Sequence, residues 1–513
     1  MSGSRDGWRP GRDRQAVWHP PQPGRSDDGG AHHVAVVGGG IAGLTAATAL
    51  AERGVRVTLL ERETRLGGRV SSWPVGVDGE TTTMSRGFHA FFRQYYNLRS
   101  LLRRTDPALE RLRAVEDYPL SLKGGPTDSF TGIARTPPLN IISFVLRSPT
   151  FRLRDLASVD VGAAMGLLDV DFPRTFTDHD GVSAADFLDR LRFPDQARHL
   201  ALEVFARSFF ADAREFSAGE LVAMFHSYFL GSAEGLLFDV PVDDYETSLW
   251  GPLARRLAEQ GVDVRTGTTA ESVESGEDDR LTVLTDEGPT VVDGVVLATD
   301  RGPLQRLVAS SPSLGDHPWR RSVAAGRSAP PFAVWRLWLD REVAPGAAPF
   351  RATSGFGPLD NVSVLEGLEH GAAAWSARHR GSVVELHAYA VDAASDQAAL
   401  RRTLWRELLV LHPELAGAQV VHDEWLWRDD CPLVGTEPWA GRPGVVTPDP
   451  RVVLAGDGVR CELPVALMER AATTGFQAAD QLLARWDLAG HGVWTVPMRH
   501  RHRVVPLLRR LVG

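Results

Sequence analysis

The clearest alternation of apolar and polar blocks lies in residues 33–69, HVAVVGGGIAGLTAATALAERGVRVTLLERETRLGGR. A short apolar run opens at His33, a glycine-rich turn follows, and an alanine-rich stretch then has the spacing and length of a helix. A second apolar run ends on Glu61. Strand, turn, helix, strand is the signature of a βαβ unit with a buried parallel sheet.

Similar blocks recur downstream. Leu249 to Gln260 has a helical pattern, and strand patterns follow at Gly261 to Arg265, Leu281 to Leu284 and Val291 to Ala298, the last leading into Thr299 and Asp300. Arg451 to Asp457 is a further apolar run ending in Gly-Asp, with an alanine-rich helix predicted from about Pro464 to Arg485 that carries Gly475, a position for close helix contact. Residues 183–245 read as mainly helical, with capping-box spacing at Ser183/Asp186 and Ser217/Glu220. Residues 331–340 and 382–391 alternate like strands. The fold expected is α/β. A Rossmann-like domain is assembled from 31–86, 248–302 and 441–485, and a mixed α+β substrate domain from 87–247 and 303–440. Residues 1–30, rich in Arg, Asp, Gly, Pro and Ser without periodicity, read as a disordered arm, and 486–513 as a basic, apolar tail.

The turn carries the chemistry. Gly38, Gly40 and Gly43 have G-x-G-x-x-G spacing. The first permits the tight turn, the second lets a pyrophosphate approach the backbone, and the third lets the helix lie close to the sheet. The N–H groups of the first helical turn, at Ile41 and Ala42, and the positive end of the helix dipole favour phosphate. Glu61, 18 residues past Gly43, is placed to accept hydrogen bonds from ribose hydroxyls, with Arg62 beside it. The chain of 513 residues has a net charge of −9, which argues against nucleic acid as a partner. Its two cysteines, Cys431 and Cys461, form no metal or iron–sulfur spacing, so redox chemistry falls to a bound cofactor and no metal is expected. No apolar run reaches the ~18–20 residues of a membrane-spanning helix, and no signal peptide is evident, so a cytoplasmic protein, soluble or peripheral to a membrane, is expected.

A second glycine turn with an arginine, Arg65-Leu66-Gly67-Gly68-Arg69, follows the fingerprint, and this segment resembles the amine oxidase and phytoene desaturase superfamily of FAD enzymes. The resemblance implies FAD as cofactor, with Gly68 and Arg69 near the pyrophosphate and flavin, and Val264 on a strand that reaches the adenine. It also implies that Gly456 and Asp457 hold the ribityl chain, and that Met468 and Ala471 lie on a helix whose N-terminus faces the flavin.

The blocks Gly87 to Arg99 (GFHAFFRQYYNLR), Phe205 to Asp212, Met224 to Gly231, Gly235 to Pro241 and Leu463 to Phe476 narrow this further. They resemble the carotenoid φ-ring synthases, also called β-carotene desaturase/methyltransferases or isorenieratene synthases, over about residues 33–497. Such enzymes convert the trimethylcyclohexenyl β-ring into a trimethylphenyl φ-ring. A quaternary ring carbon cannot become aromatic, so hydride loss must create a cation that allows a 1,2-methyl shift. A base then removes a proton, and a second oxidation completes the ring. Candidate bases are His89, His226 and Asp239, with Glu234 beside them in a matched block; each has an ordinary structural role as its alternative. The resemblance implies a lipophilic carotenoid substrate and a membrane surface as partner, with the arginine-rich tail past Pro497 as a candidate contact. The electron acceptor stays open between quinone, oxygen and a partner protein. Another carotenoid or phytoene desaturase or isomerase, an amine oxidase, and a redox-inactive carotenoid carrier are the alternative readings.

Overall fold

The structure, a computed structural model, describes residues 10–150, 167–192 and 209–501. A five-stranded parallel sheet gathers His33–Val37 (β1), Arg56–Glu61 (β2), Asp263–Thr266 (β3), Gly294–Leu297 (β4) and Val452–Leu454 (β5). Their spatial order is β3-β2-β1-β4-β5. Register places Val34 beside Val57, Ala35 beside Val295, and Val296 beside Val453. The inner strands are buried on both faces, which is why they read as continuous apolar runs. The chain leaves β1 in one direction through Ile41–Ala51 (α1) to β2, while β4 pairs on the other side of β1. A crevice at such a switch point is where open α/β sheets bind ligands.

Leu467–Arg485 (α2) crosses α1 at Gly475, where a Cβ would lie 2.5 Å from the Ala42 carbonyl oxygen. The apolar run at 291–298 is two strands. Gly288–Val292 closes an antiparallel sheet with Leu281–Thr285, and β4 begins after Asp293, whose carboxylate accepts the His33 N–H at 2.7 Å.

The second layer is a seven-stranded sheet in the order Val420–Arg428, Phe332–Leu339, Ser382–Ala388, Asn361–Val364, Phe350–Ser354, Leu120–Leu122, Thr127–Asp128. Phe332–Leu339 and Ser382–Ala388 are antiparallel neighbours, both buried along their whole length. A smaller sheet places Phe238–Pro241 between Phe91–Phe92 and Leu112–Val115. In the 183–245 region, Ser183 caps Ala184–Arg190 by accepting the Asp186 N–H. Ser217 makes no such bond, and the Glu220 carboxylate pairs instead with Arg442 and Arg470.

The amino-terminal arm corrects the sequence expectation from residue 10 onward. Val17–His19 pairs antiparallel with Val493–Thr495. Asp13 is buried against Arg501 at 2.8 Å, and its N–H donates to Glu234 at 2.9 Å. An edge pairing and a few polar contacts to distant residues hold this segment, and neither leaves an apolar period in the sequence. Of the predicted tail, residues 486–501 pack on the body; residues 502–513, with most of its arginine-rich part, lie outside the described residues, as does Phe205 to Ser208 of one matched block.

Candidate functional site

Two glycine turns face each other at the carboxyl ends of the parallel strands. Gly38 takes φ +110° as the chain leaves β1, and a Cβ on Gly43 would overlap the Gly38 carbonyl oxygen. Gly40 opens α1 without a side-chain cap, so the N–H groups near Ile41 and Ala42 point outward unserved by any side chain. In the second turn Gly67 and Gly68 have φ +97° and +57°. The Gly67 N–H donates to the Gly39 carbonyl at 2.8 Å, and Trp250 packs where a Gly67 side chain would stand. The nearest atom to a Cβ on Gly40 would be the Gly68 Cα at 3.9 Å, so the floor between the turns is bare backbone.

Glu61 ends β2 and accepts the N–H groups of Gly39 at 2.7 Å and Glu63 at 2.8 Å, although burial pushes its carboxyl above the ordinary range. β3 runs alongside, with the half-buried Val264 next to Leu59. Arg62 is exposed and pairs with Glu63 at 3.3 Å. The buried hydroxyls of Thr268 and Thr299 have no hydrogen-bond partner among the described residues, and both lie at this end of the sheet. Bare backbone, uncapped helix N-termini, a ribose-type acid and two unsatisfied hydroxyls fit a dinucleotide cofactor.

At the far side of the crevice Arg69 is clasped by Asp457 and, at 3.1 Å, by Asp300. Asp457 follows Gly456, whose N–H donates to the Thr474 hydroxyl at 2.9 Å. The first turns of α2 present Met468 and Ala471, both half-buried, and α2 has no side-chain cap. Arg86 reaches both oxygens of Asp430 at 2.7 Å, next to the buried Cys431, whose thiol burial pushes up to about 12. Sequence spacing did not single out Asp300, Asp430 or Trp250. The signal for Asp300 was its position just past an apolar run, the counterpart of Asp457.

His89 is the one candidate base that the fold brings to this cluster. Its Nδ1 lies 2.9 Å from the Gly87 carbonyl, which also accepts the Tyr245 hydroxyl at 2.8 Å. Burial, together with the nearby cations of Arg69 and Arg86, lowers its pKa to about 4. The ring is therefore neutral at pH 7, and a proton on Nδ1 directed at Gly87 leaves the Nε2 lone pair free. Behind Gly87 stands His387, 2.7 Å from where a Gly87 Cβ would be. His387 bonds Glu385 at 2.8 Å and the Tyr389 hydroxyl at 2.6 Å. Burial would raise the Glu385 carboxyl, but Arg336 at 2.7 Å and His387 outweigh it and hold it at about 2. Glu385, His387 and Tyr389 sit at alternate positions of one predicted strand. Polar residues recurring every second place in an apolar run were the legible sign of this network.

The other candidates lie elsewhere. His226 occupies a turn after Ala218–Phe225, with Nε2 2.6 Å from the Pro497 carbonyl and its ring against Phe172 and Gly231. Asp239 is locked by Arg99 at 2.7 Å and Arg93 at 3.3 Å. Glu234 accepts the Asp13 N–H and the Tyr96 hydroxyl. The two guanidinium groups engage both carboxylate oxygens of Asp239, so the structure places it in a buried ion-pair cluster rather than beside His89. Next to His89, aromatic side chains form a wall: Phe88 stacks on Phe350 at 4.3 Å and meets Phe238 at 5.6 Å, and Phe92 lies 4.6 Å from Tyr228.

The model of the flavin-containing amine oxidoreductases matches residues 41–483. The chain is 57% identical over 509 residues to a carotenoid phi-ring synthase of Streptomyces griseus, covering 99% of this chain and 98% of that protein. It is 26% identical over 583 residues to a carotenoid phi-ring synthase of Chlorobaculum tepidum, covering 90% of each. A solved double mutant of putrescine oxidase superposes with a TM-score of 0.64 over 88% of this chain and 99% of that one, at 18% identity, a likeness of fold.

Proposed function

The chain belongs to the flavin-containing amine oxidoreductases and, within them, to the carotenoid phi-ring synthases, and we propose that it converts a carotenoid β-ring into an aromatic φ-ring. The observation that carries this reading is end-to-end identity of 57% to such an enzyme. FAD, when bound, supplies a two-electron acceptor for the hydrides that leave the ring. The bare backbone at Gly38, Gly40 and Gly43, with the N–H groups of Ile41 and Ala42, would hold the phosphates, and Gly68 would leave room for them. Glu61 takes the ribose and the strand at Val264 the adenine, with Arg62 at the rim. Gly456 and Asp457 would hold the ribityl chain, and Arg69, Met468 and Ala471 would contact the flavin.

On the substrate side, the aromatic wall excludes water and stabilises a ring cation through π faces without trapping it. The neutral His89, oriented by the Gly87 carbonyl, takes the proton at Nε2. Asp239 and His226 serve the fold. A carotenoid resides in a bilayer, so the enzyme works at a membrane surface. No described helix is long and apolar enough to cross one.

The test is expression in β-carotene-accumulating cells with pigment analysis, for the wild type and His89→Ala. An aromatic-ring carotenoid is expected from the wild type and little from the variant, with bound flavin retained in both. Unchanged β-carotene with new linear desaturated products would overturn the ring reading. Normal aromatisation by His89→Ala would remove His89 as the base.

A further inference from the structure

The helix Leu139–Arg147 turns an apolar stripe outward. Leu139, Ile142 and Leu146 are 58%, 50% and 64% exposed, at i, i+3 and i+7 on one face. Every other large apolar side chain exposed among the described residues is a single valine in a different element, which needs no explanation. The opposite face is anchored. Asn140 is buried and donates to the Phe229 carbonyl at 2.6 Å, and Phe144 stacks on Phe130 at 5.4 Å. The stripe is therefore held outward by a fixed helix.

Its surroundings select the partner. Although the chain carries a net charge of −9, residues 129–150 contain no Asp or Glu and two arginines. Arg135 and Arg147, both exposed, flank the stripe. Aliphatic side chains flanked by arginines at both ends complement an anionic lipid leaflet, with the aliphatics at the headgroup–acyl boundary and the guanidiniums on phosphate. Beneath the helix the aromatics are continuous. Phe144 meets Phe130, Phe130 stacks on Tyr118 at 4.4 Å, Tyr118 meets Phe238 at 4.8 Å, and Phe238 meets Phe88, the residue before His89.

We propose that Leu139–Arg147 is the surface by which this protein docks on an anionic bilayer, so that an apolar ligand enters between the leaflet and the aromatic stretch beneath the helix. The direction of entry rests on the carotenoid reading; the docking itself is tested without substrate.

Full-length, FAD-loaded protein is floated with vesicles of phosphatidylcholine, alone or mixed with phosphatidylglycerol. The wild type is expected to float with the mixed vesicles. Ile142→Glu/Leu146→Glu is expected to lower the bound fraction about tenfold with flavin content and melting temperature unchanged. Arg135→Gln/Arg147→Gln should lose binding to the anionic vesicles only. Because both native cysteines are buried, Ile142→Cys carrying an environment-sensitive fluorophore gives a second readout, with a blue shift expected on the mixed vesicles. Three results overturn the proposal: wild type that floats with neither vesicle, variants that float like wild type with an unshifted probe, or a stripe that instead mediates self-association in sedimentation velocity. A lipid result in either direction leaves the pigment test of the ring chemistry separate.

Discussion

The two layers of this protein build their sites by opposite means. In the parallel sheet the working surface is backbone: Gly38, Gly40, Gly43, Gly67 and Gly68 remove side chains where a cofactor must approach, and helix ends supply the polarity. In the seven-stranded sheet the working surface is buried charge. Arg336 spans Glu385, the Ser85 hydroxyl at 2.8 Å and the Thr83 carbonyl at 2.7 Å, and Glu385 carries His387 behind Gly87. The first device is written within about thirty consecutive residues. The second joins segments some 250 residues apart and exists only once the fold has formed. A nucleotide site of the first kind tolerates change in side chains but not in backbone shape; a network of the second kind has the reverse sensitivity.

The largest effects should therefore come from adding atoms to the first layer. Gly43→Val places its Cβ against the Gly38 carbonyl oxygen, and neither group can move without opening the turn. Purified variant is expected to carry almost no flavin, read from visible absorbance per protein, and to be poorly soluble. Gly40→Ala sharpens the point. Its Cβ meets only Gly68 at 3.9 Å, so the apoprotein should fold normally while flavin affinity falls at least about tenfold because the cofactor's approach is blocked. Wild-type flavin affinity in Gly40→Ala would break the claim that bare backbone is the binding surface.

In the second layer the decisive change is removal of one charge. Arg336→Leu leaves the buried Glu385 with only the His387 ring beside it and takes the cation away from Glu369, at an expected cost of about 3–5 kcal/mol in denaturant unfolding. Arg336→Leu/Glu385→Leu should recover much of that loss, since the most deeply buried carboxylate leaves with its cation and only the partly exposed Glu369 loses a partner. A single-variant cost below about 1 kcal/mol, the range of a surface pair, would show that the network does not organise this sheet.

The same contrast explains what could be read from the sequence. The β1–α1–β2 unit was legible because its apolar period changes at the glycines and its partners are neighbours in the chain. Gly475 was legible as a close contact because only a missing side chain lets α2 reach Ala42. Residues 10–30 were not, since Asp13 finds Arg501 and Val17 finds Thr495 across almost the whole chain. Ser217 and Glu220 have the spacing of a cap, as Ser183 and Asp186 do, but Glu220 is buried against Arg470, a stronger partner brought by α2. Among the candidate bases the residue types alone could not separate His89 from His226 or Asp239. Separation required knowing that Gly87 and Arg69 meet His89, while Pro497 meets His226.

Those two histidines supply the smallest and most selective test. Burial lowers the pKa of His226 from 6.5 to about 4, so the folded protein holds it neutral. Above pH 6.5 folded and unfolded chains are both unprotonated there, and nothing depends on pH. Between 6.5 and 4 the unfolded chain takes a proton that the folded chain refuses, and stability falls with pH by about 1.4 kcal/mol per unit for this residue. His226→Gln keeps a side-chain donor for the Pro497 carbonyl and removes the titration. Urea unfolding at pH 7 and pH 5 should show the wild type losing about 2 kcal/mol more than the variant between the two. His226→Gln should also leave flavin content and ring aromatisation unchanged, unlike His89→Ala. Equal acid losses in wild type and variant would mean that His226 is not held neutral by burial, and a loss of aromatisation with normal stability would move it from the fold to the chemistry.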